Sequence, residues 1–202
     1  SKAFPQLYLS GFASLTREQE QSTEATVKEV IRRLRSYQTV DGSFSYWPGG
    51  TAPNAWGTVY AIHFLLEAEK KGYLVPEGMK RNALNDLSRI ARNWKPEASY
   101  SAESEEMTQA YRLFVLALGQ VAEVGAMNRL KESKTLMSMS RYLLAAGYAL
   151  VGRPDVSKEL VVKTTALTTA CSGYDQTFGS DLRDASIRLM TLCLLDGGKE
   201  AA

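Results

Sequence analysis

The sequence predicts an all-α fold built from two concentric layers of helices. Helical periodicity dominates the 202 residues, and no long stretch alternates apolar and polar residues as a half-buried strand does. Segments with one apolar face alternate along the chain with segments that are apolar nearly all round. Because a helix without a polar face must be covered on every side, we expect an inner layer sheathed by an outer one, an α/α toroid.

The predicted outer helices are amphipathic. In residues 23–37, Val27, Ile31 and Leu34 share one face while charged residues occupy the rest of the surface. Residues 79–94 repeat this pattern. Both segments are therefore expected to keep one side in solvent.

The predicted inner helices are apolar nearly all round and occupy residues 55–71, 105–124 and 136–150. For the second, Ser104, Glu105 and Glu106 are expected to form the cap and an acidic first turn. In the third, Ser, Ala and Gly positions permit close approach of a neighbouring helix, and Gly152 and Pro154 are expected to end it.

Two further segments follow. Residues 155–170 predict a helix and then a loop, because their run of Val and Thr lowers helix propensity. The last helix begins behind Ser180 or Asp181, and Asp184 in its first turn complements the helix dipole instead of forming a catalytic pair. We count eight or nine helices in all and predict one domain over 1–202.

The connection "QTVDGSFSYWPGG", residues 38–50, is unusually aromatic. Asp41 and Gly42 favour a tight turn, and the Gln38 amide can satisfy backbone groups that lack partners at helix ends. The aromatic residues are predicted to wedge between an outer and an inner helix; they are Phe44, Tyr46 and Trp47.

Composition excludes several classes of function. The net charge is +2 and the two signs are mixed along the chain, so the basic surface typical of a nucleic-acid-binding protein is not expected. His63 is the single histidine, so a zinc site is not expected and no cofactor is predicted. Cys171 and Cys193 are expected to be buried thiols. No apolar run reaches membrane-spanning length, and the first residues do not read as a signal peptide, so we expect a chain cut from something longer.

Several stretches resemble known proteins. "QTVDGSF" is similar to the Q-x-x-x-G-x-aromatic connection of toroids in the terpenoid cyclase superfamily. In order along the chain, "SKAFPQLYLSGF", "DGSFSYWPGG", "YAIHFLLEAEKKGYLVP" and "FGSDLRDASIRL" together resemble the thioester-type domain of bacterial alpha-2-macroglobulins. A closed toroid of this superfamily has about twelve helices, so the resemblance implies an incomplete ring with an exposed apolar seam and dimerisation or limited solubility.

The resemblance implies a trap instead of an enzyme. In that family a Cys-Gly/Leu-Glu-Gln type motif forms an internal thioester, and cleavage of a bait region exposes it for covalent capture of the protease. It implies proteases and the other domains of the parent protein as partners, and a periplasmic or cell-surface location. No nucleic acid and no direct membrane insertion are implied.

The sequence departs from the family at the motif itself. Cys171 is followed by Ser-Gly-Tyr and Cys193 by Leu-Leu-Asp, so neither fits Cys-x-Glu-Gln. In the family the motif lies just upstream of the segment that resembles "SKAFPQLY", and we therefore expect that this chain begins just after it; the alternative is a member of the family that never had the motif. The loop after the Asp-Gly turn lacks the histidine of complement-like relatives, which implies amine acceptors such as lysines.

A dry pocket would protect such an ester from water. The candidates for its wall are Tyr46, Trp47, Asn54, Trp56, Tyr60 and His63. For His63 the alternative is a buried structural histidine held by a neighbour on its helix face, such as Tyr60 or Glu67.

Two other functions remain open at this stage. One is an α/α-toroid enzyme, a carbohydrate-active enzyme or a cyclase, although the DxDD and DDxxD motifs of cyclases are absent. The other is a non-catalytic scaffold in which one end of a toroid binds a partner protein. Turnover of a substrate by the domain would distinguish the enzyme from the other two.

Overall fold

The described residues form helices joined by turns and loops. A computed structural model describes residues 3–96, 102–133, 136–164 and 179–197. Within these ranges there is no named strand, only two isolated antiparallel bridges, so the all-α prediction is confirmed. The helices are α1 (Ala3–Gln6), α2 (Leu9–Phe12), α3 (Arg17–Leu34), α4 (Ala55–Lys70), α5 (Glu77–Asn93), α6 (Ala102–Leu118), α7 (Val124–Lys131), α8 (Ser138–Leu150), α9 (Pro154–Val162) and α10 (Asp181–Asp196).

The predicted alternation of amphipathic and buried helices is confirmed. The 18-residue α3 buries only Val27 and Ile31. By contrast, α6 buries every residue from 106 to 117, and α4 and α8 are buried over most of their surfaces. Such alternation is what a two-layer helical toroid requires. The chain divides into two compact units, Ser1–Asp86 and Leu87–Ala202, and the single domain over 1–202 stays a prediction.

In the first unit, the connection from α3 to α4 is built into the fold. The Gln38 side chain donates to the carbonyls of Gly42, at 3.0 Å, and Met79, at 2.9 Å. Phe44 is 2% exposed, and its backbone N–H donates to the Thr58 hydroxyl, which itself donates to the Phe44 carbonyl. The packing role predicted for Gln38 and Phe44 is therefore confirmed.

Gly42 is where this connection comes closest to α5. Its φ is +109°, and a Cβ there would lie 2.4 Å from the carbonyl oxygen of Asn82. One residue further on, the Ser43 hydroxyl donates to the buried Asp86 carboxylate at 2.5 Å. The turn therefore needs glycine for both its dihedral angle and its space.

The wedge role predicted for Tyr46 and Trp47 is wrong. Their rings pack edge to face on each other, 4.9 Å apart, and are 63% and 70% exposed. The physical reason is the local turn: the bridge from Ser45 to Pro53 and the positive φ of Gly49, +73°, carry the chain outward directly after the buried Phe44.

In the second unit, α8 packs against α6, α7, α9 and α10. A Cβ on Gly147 would lie 3.2 Å from the Met127 side chain and 3.6 Å from the Phe114 backbone. The Ser157 hydroxyl on α9 donates to the Ala145 carbonyl at 2.7 Å. The close approach predicted from the small residues of this helix is confirmed.

The helix predicted over 105–124 is instead α6, Ala102–Leu118, and the separate helix α7 that follows it was not predicted. Ser104 and Glu106 therefore lie within α6 instead of capping it, whereas Glu105 lies in the acidic first turn, as predicted. Glu106 accepts from the backbone N–H of Met137 at 2.9 Å. The helix predicted behind Pro154 is present as α9. The loop predicted after it lies mostly outside the described residues.

The last helix, α10, begins as predicted, with the Ser180 side chain accepting from the backbone N–H of Arg183. It buries one residue, Thr191, whose hydroxyl donates to the Tyr142 carbonyl. Cys193 is exposed, so the buried thiol predicted there is wrong, and Cys171 lies outside the described residues. The exposed large apolar residues of α10 are Leu182, Leu189 and Leu192. The predicted seam and dimer stay predictions.

Candidate functional site

Local contacts fix the start of α4. The Asn54 side chain accepts from the backbone N–H of Gly57 at 2.6 Å, which caps the helix. One turn later, Thr58 holds the backbone of Phe44. The cap fixes the residue at which α4 begins, and this in turn fixes which face of the helix each later side chain occupies.

One narrow face of α4 is only partly buried. Trp56, Tyr60, His63 and Glu67 are spaced by four, three and four residues, which places them on the same side of the helix. Between Thr58 and Ala68, the residues not fully buried are Tyr60, His63 and Glu67. We call these four residues the α4 stripe.

The first turn of the chain covers the middle of the α4 stripe. The Phe4 ring lies 4.9 Å from the His63 ring, centroid to centroid, with an interplanar angle of 74°. It also lies 5.3 Å from Tyr60 and 5.9 Å from Phe64. Aromatic pairs in these geometries each contribute about 0.5–1.5 kcal/mol beyond the area they bury.

A polar contact closes the far end of the stripe. The Tyr8 hydroxyl donates to Oε2 of Glu67 at 2.5 Å. The other oxygen of Glu67 accepts from Nζ of Lys70 at 2.8 Å, and Nζ of Lys71 lies 5.0 Å from the centre of the Tyr8 ring. The segment after α1 is thus tied to α4 by a hydrogen bond to a carboxylate and by a cation–π contact.

The protonation states follow from this environment. Burial lowers the pKa of His63 to about 4, although the Glu67 carboxylate opposes that shift. Burial raises the pKa of Glu67, but the hydrogen bonds from Lys70 and Tyr8 outweigh it, so the net pKa lies below the usual range. Burial and Glu67 raise the pKa of Tyr8. Near neutral pH the stripe therefore presents a neutral imidazole at His63 and a carboxylate at Glu67, and Tyr8, which bonds that carboxylate, is a neutral phenol.

The structure brings some of the predicted wall residues together and separates others. Trp56, Tyr60 and His63 share the α4 stripe, and Asn54 caps the same helix. Tyr46 and Trp47 form their own exposed pair in the preceding loop. The role of all six as a protective wall stays a prediction.

Sequence reasoning missed Phe4 and Tyr8 as site residues. Their spacing of four would place them on one face of a continuous helix, but α1 ends at Gln6 and a turn follows before α2. Nothing in the periodicity of so short a segment pairs it with α4. Within the described ranges, no group of three His, Cys, Asp or Glu residues could hold a metal ion. No described helix is long and apolar enough to cross a membrane.

The sequence of this all-α chain is similar to that of bacterial alpha-2-macroglobulins. The alpha-2-macroglobulin of Escherichia coli strain K12 is 27% identical over 204 residues, a match that covers 95% of this chain and 12% of that protein. The predicted resemblance to bacterial alpha-2-macroglobulins is confirmed by this match. No protein-family model matches it.

Solved structures agree with this relationship. Escherichia coli alpha-2-macroglobulin activated by porcine elastase matches with a TM-score of 0.80 and 25% identity, over 98% of this chain and 18% of that one. Salmonella alpha-2-macroglobulin reacted with methylamine matches with a TM-score of 0.80 and 23% identity, over 99% of this chain and 14% of that one, which shows the fold alone. The chain therefore spans a small part of the length of the proteins that it resembles.

Proposed function

We propose that this chain is part of the thioester-bearing helical domain of a bacterial protease trap of the alpha-2-macroglobulin type. The observation that carries the proposal is the match to the Escherichia coli protein over 95% of the chain. In this role the chain is not an enzyme. Its partners are proteases and the other domains of its parent, and its place is the periplasm or the cell surface.

The reactive group of such a trap is a thioester within a Cys-x-Glu-Gln motif, and neither Cys171 nor Cys193 lies in such a motif. The ester forms when a cysteine sulfur attacks the side-chain carbonyl carbon of a glutamine and ammonia leaves. An amine of the captured protease then attacks the same carbon, a C–N bond replaces the C–S bond, and the proton passes to the released thiol. The Salmonella relative that was reacted with methylamine supports an amine acceptor.

In this proposal the α4 stripe shields the ester. Its aromatic rings exclude water, and burial keeps His63 neutral and a weak base. Asn54 fixes the helix that carries the stripe. Tyr46 and Trp47, exposed at the tip of the preceding loop, are the outermost candidates for the same wall.

The test uses the parent protein that contains this chain. Elastase or trypsin is added, and covalent conjugates are sought on a denaturing, reducing gel. We expect a band larger, by the mass of the protease, than the cleaved fragment of the parent that carries the thioester, and we expect prior treatment with methylamine to abolish it. A parent that forms no conjugate with any protease that cleaves it would contradict the proposal.

Replacing Trp56 or His63 by Ala in the parent tests the shield. We expect the ester to be lost faster in buffer without amine, because water reaches it more easily. A matched control is Trp94→Ala, a partly buried tryptophan beyond the end of α5. If the lifetime of the ester is unchanged in both stripe variants, the shielding role is wrong, but the proposal of a protease trap still stands.

A further inference from the structure

The N-terminal segment of the first unit is attached to α4 by few contacts, and these contacts form a latch. We propose that the Tyr8–Glu67 hydrogen bond and the packing of Phe4 on the α4 stripe hold residues 3–12 in place, so that releasing them uncovers the site. We call residues 3–12 the arm. This inference deepens the proposed function and rests on it, because the reactive group there lies immediately upstream of the arm.

The arm has little other burial. Its buried residues are Ala3 and Leu7, and α2 buries none of its four residues. Phe12, at the end of α2, is 88% exposed. Because α1 also packs on α3, the contacts of Phe4 and Tyr8 are what join the arm to α4.

Beside the arm the surface is open. A groove of about 760 Å³ lies between the arm, α3 and residues 71–76, and its wall includes Gln6, Leu7 and Ile31. The side-chain oxygen of Gln6 is buried and accepts no hydrogen bond from the described residues. One side of the arm is therefore incompletely packed, which lowers the cost of moving it away from α4.

The Tyr8–Glu67 hydrogen bond of the latch is stronger than a hydrogen bond between two neutral groups. Its acceptor is an ionised carboxylate, and hydrogen bonds to charged groups contribute more than neutral ones. Lys70 holds the second oxygen of Glu67, so the carboxylate is already oriented toward Tyr8. Loss of the Tyr8 hydroxyl removes this bond without changing the ring that packs beside Phe4, 6.5 Å away.

A docked arm covers Tyr60 and His63 with the Phe4 ring, whereas a released arm exposes all three to water. The arm therefore couples the position of the reactive group to its protection. Tyr8 and Glu67 are positioning residues in this scheme, because they act on the reactive group only through the arm.

The first experiment measures hydrogen exchange of the arm amides in the complete 202-residue chain. We expect Tyr8→Phe to speed exchange in residues 3–12 by about tenfold, the effect of one hydrogen bond to a charged group. Glu67→Gln keeps an acceptor but loses the charge, so a smaller increase is expected. The control is Tyr37→Phe, whose hydroxyl makes no hydrogen bond within the described ranges. Arm exchange equal to wild type in both latch variants would overturn the latch.

The second experiment measures the lifetime of the ester in the parent protein without added amine. We expect Tyr8→Phe to shorten the lifetime severalfold and Tyr37→Phe to leave it unchanged. If the wild-type parent forms no ester, the proposed function fails while the exchange result still decides whether the latch exists. If the ester forms and its lifetime is the same in Tyr8→Phe, the coupling between arm and ester is wrong.

Discussion

Two aromatic segments lie against α4 in the first unit, and they are held in opposite ways. The connection 38–54 is fixed through its backbone: Gly42 touches the backbone of Asn82, and Thr58 bonds both backbone groups of Phe44. The arm 3–12 packs on α3 through α1, and it is joined to α4 through side chains, Phe4 on the α4 stripe and Tyr8 on Glu67. The first kind of attachment breaks only with the fold, whereas the second can open while the fold persists.

The largest effect is expected in the fixed connection. Gly42→Ala should lower the free energy of unfolding by about 3 kcal/mol or more, because a Cβ meets the Asn82 carbonyl at 2.4 Å and φ is +109°. Gly49→Ala is the control, since φ is also positive there, +73°, but no atom lies within 4 Å of the added Cβ. Chemical denaturation of both variants measures the difference. Equal losses would mean that the close approach has no energetic role.

The next effect also belongs to the connection. Thr58→Val removes the acceptor of the Phe44 N–H, which is buried, and should cost about 2–3 kcal/mol of unfolding free energy. Thr51→Val, at an exposed position in the same connection, should change it by less than about 0.5 kcal/mol. If both variants denature at the wild-type midpoint, the connection is not anchored by this residue.

A pH effect is expected from the α4 stripe. The pKa of His63 is lowered from 6.5 to about 4, so the unfolded chain binds a proton more readily than the folded one. Stability is therefore complete above about pH 7 and falls as the pH is lowered, by up to about 2 kcal/mol at about pH 5. The pKa of Glu67 is lowered, so its contribution is lost only in more acidic solution. His63→Gln should flatten the dependence of the unfolding free energy on pH between about pH 5 and about pH 7. An unchanged slope would show that His63 is not the group responsible.

The smallest effect on global stability is expected from the latch. Tyr8→Phe should change the unfolding free energy by less than about 1 kcal/mol, because the arm can detach without unfolding the rest of the unit. Its local effect on hydrogen exchange is nevertheless large. Denaturation midpoints of Tyr8→Phe and Thr58→Val, measured side by side, would sharpen the comparison. Equal losses would show that the arm is as integral to the fold as the connection.

The sequence predicts the helices better than it predicts the contacts of the site. Burial on every side is a property of composition, so the apolar segments of α4, α6 and α8 could be assigned to the interior, and the structure confirms this. The fate of the loop aromatics could not be predicted in the same way. Phe44 turns inward while Tyr46 and Trp47 turn out, because the bridges and the turn at Gly49 set their direction.

The site itself depends on a contact over more than fifty residues of sequence, from Tyr8 to Glu67. The helical spacing of Tyr60, His63 and Glu67 could be read from the chain, and it placed three of the stripe residues on one face. Their partner could not be predicted, because α1 and α2 are single turns without a periodic pattern. The exposure of Cys193 was missed for a related reason: α10 is apolar in sequence but buries only Thr191.

The central claim is that this chain belongs to a domain that carries an internal thioester, and intact-mass spectrometry of the purified parent tests it most directly. We predict a mass lower than the sequence mass by one ammonia, and a gain of one methylamine after treatment with that amine. A parent whose mass equals the sequence mass before and after methylamine, in freshly prepared and unproteolysed protein, would contradict the account.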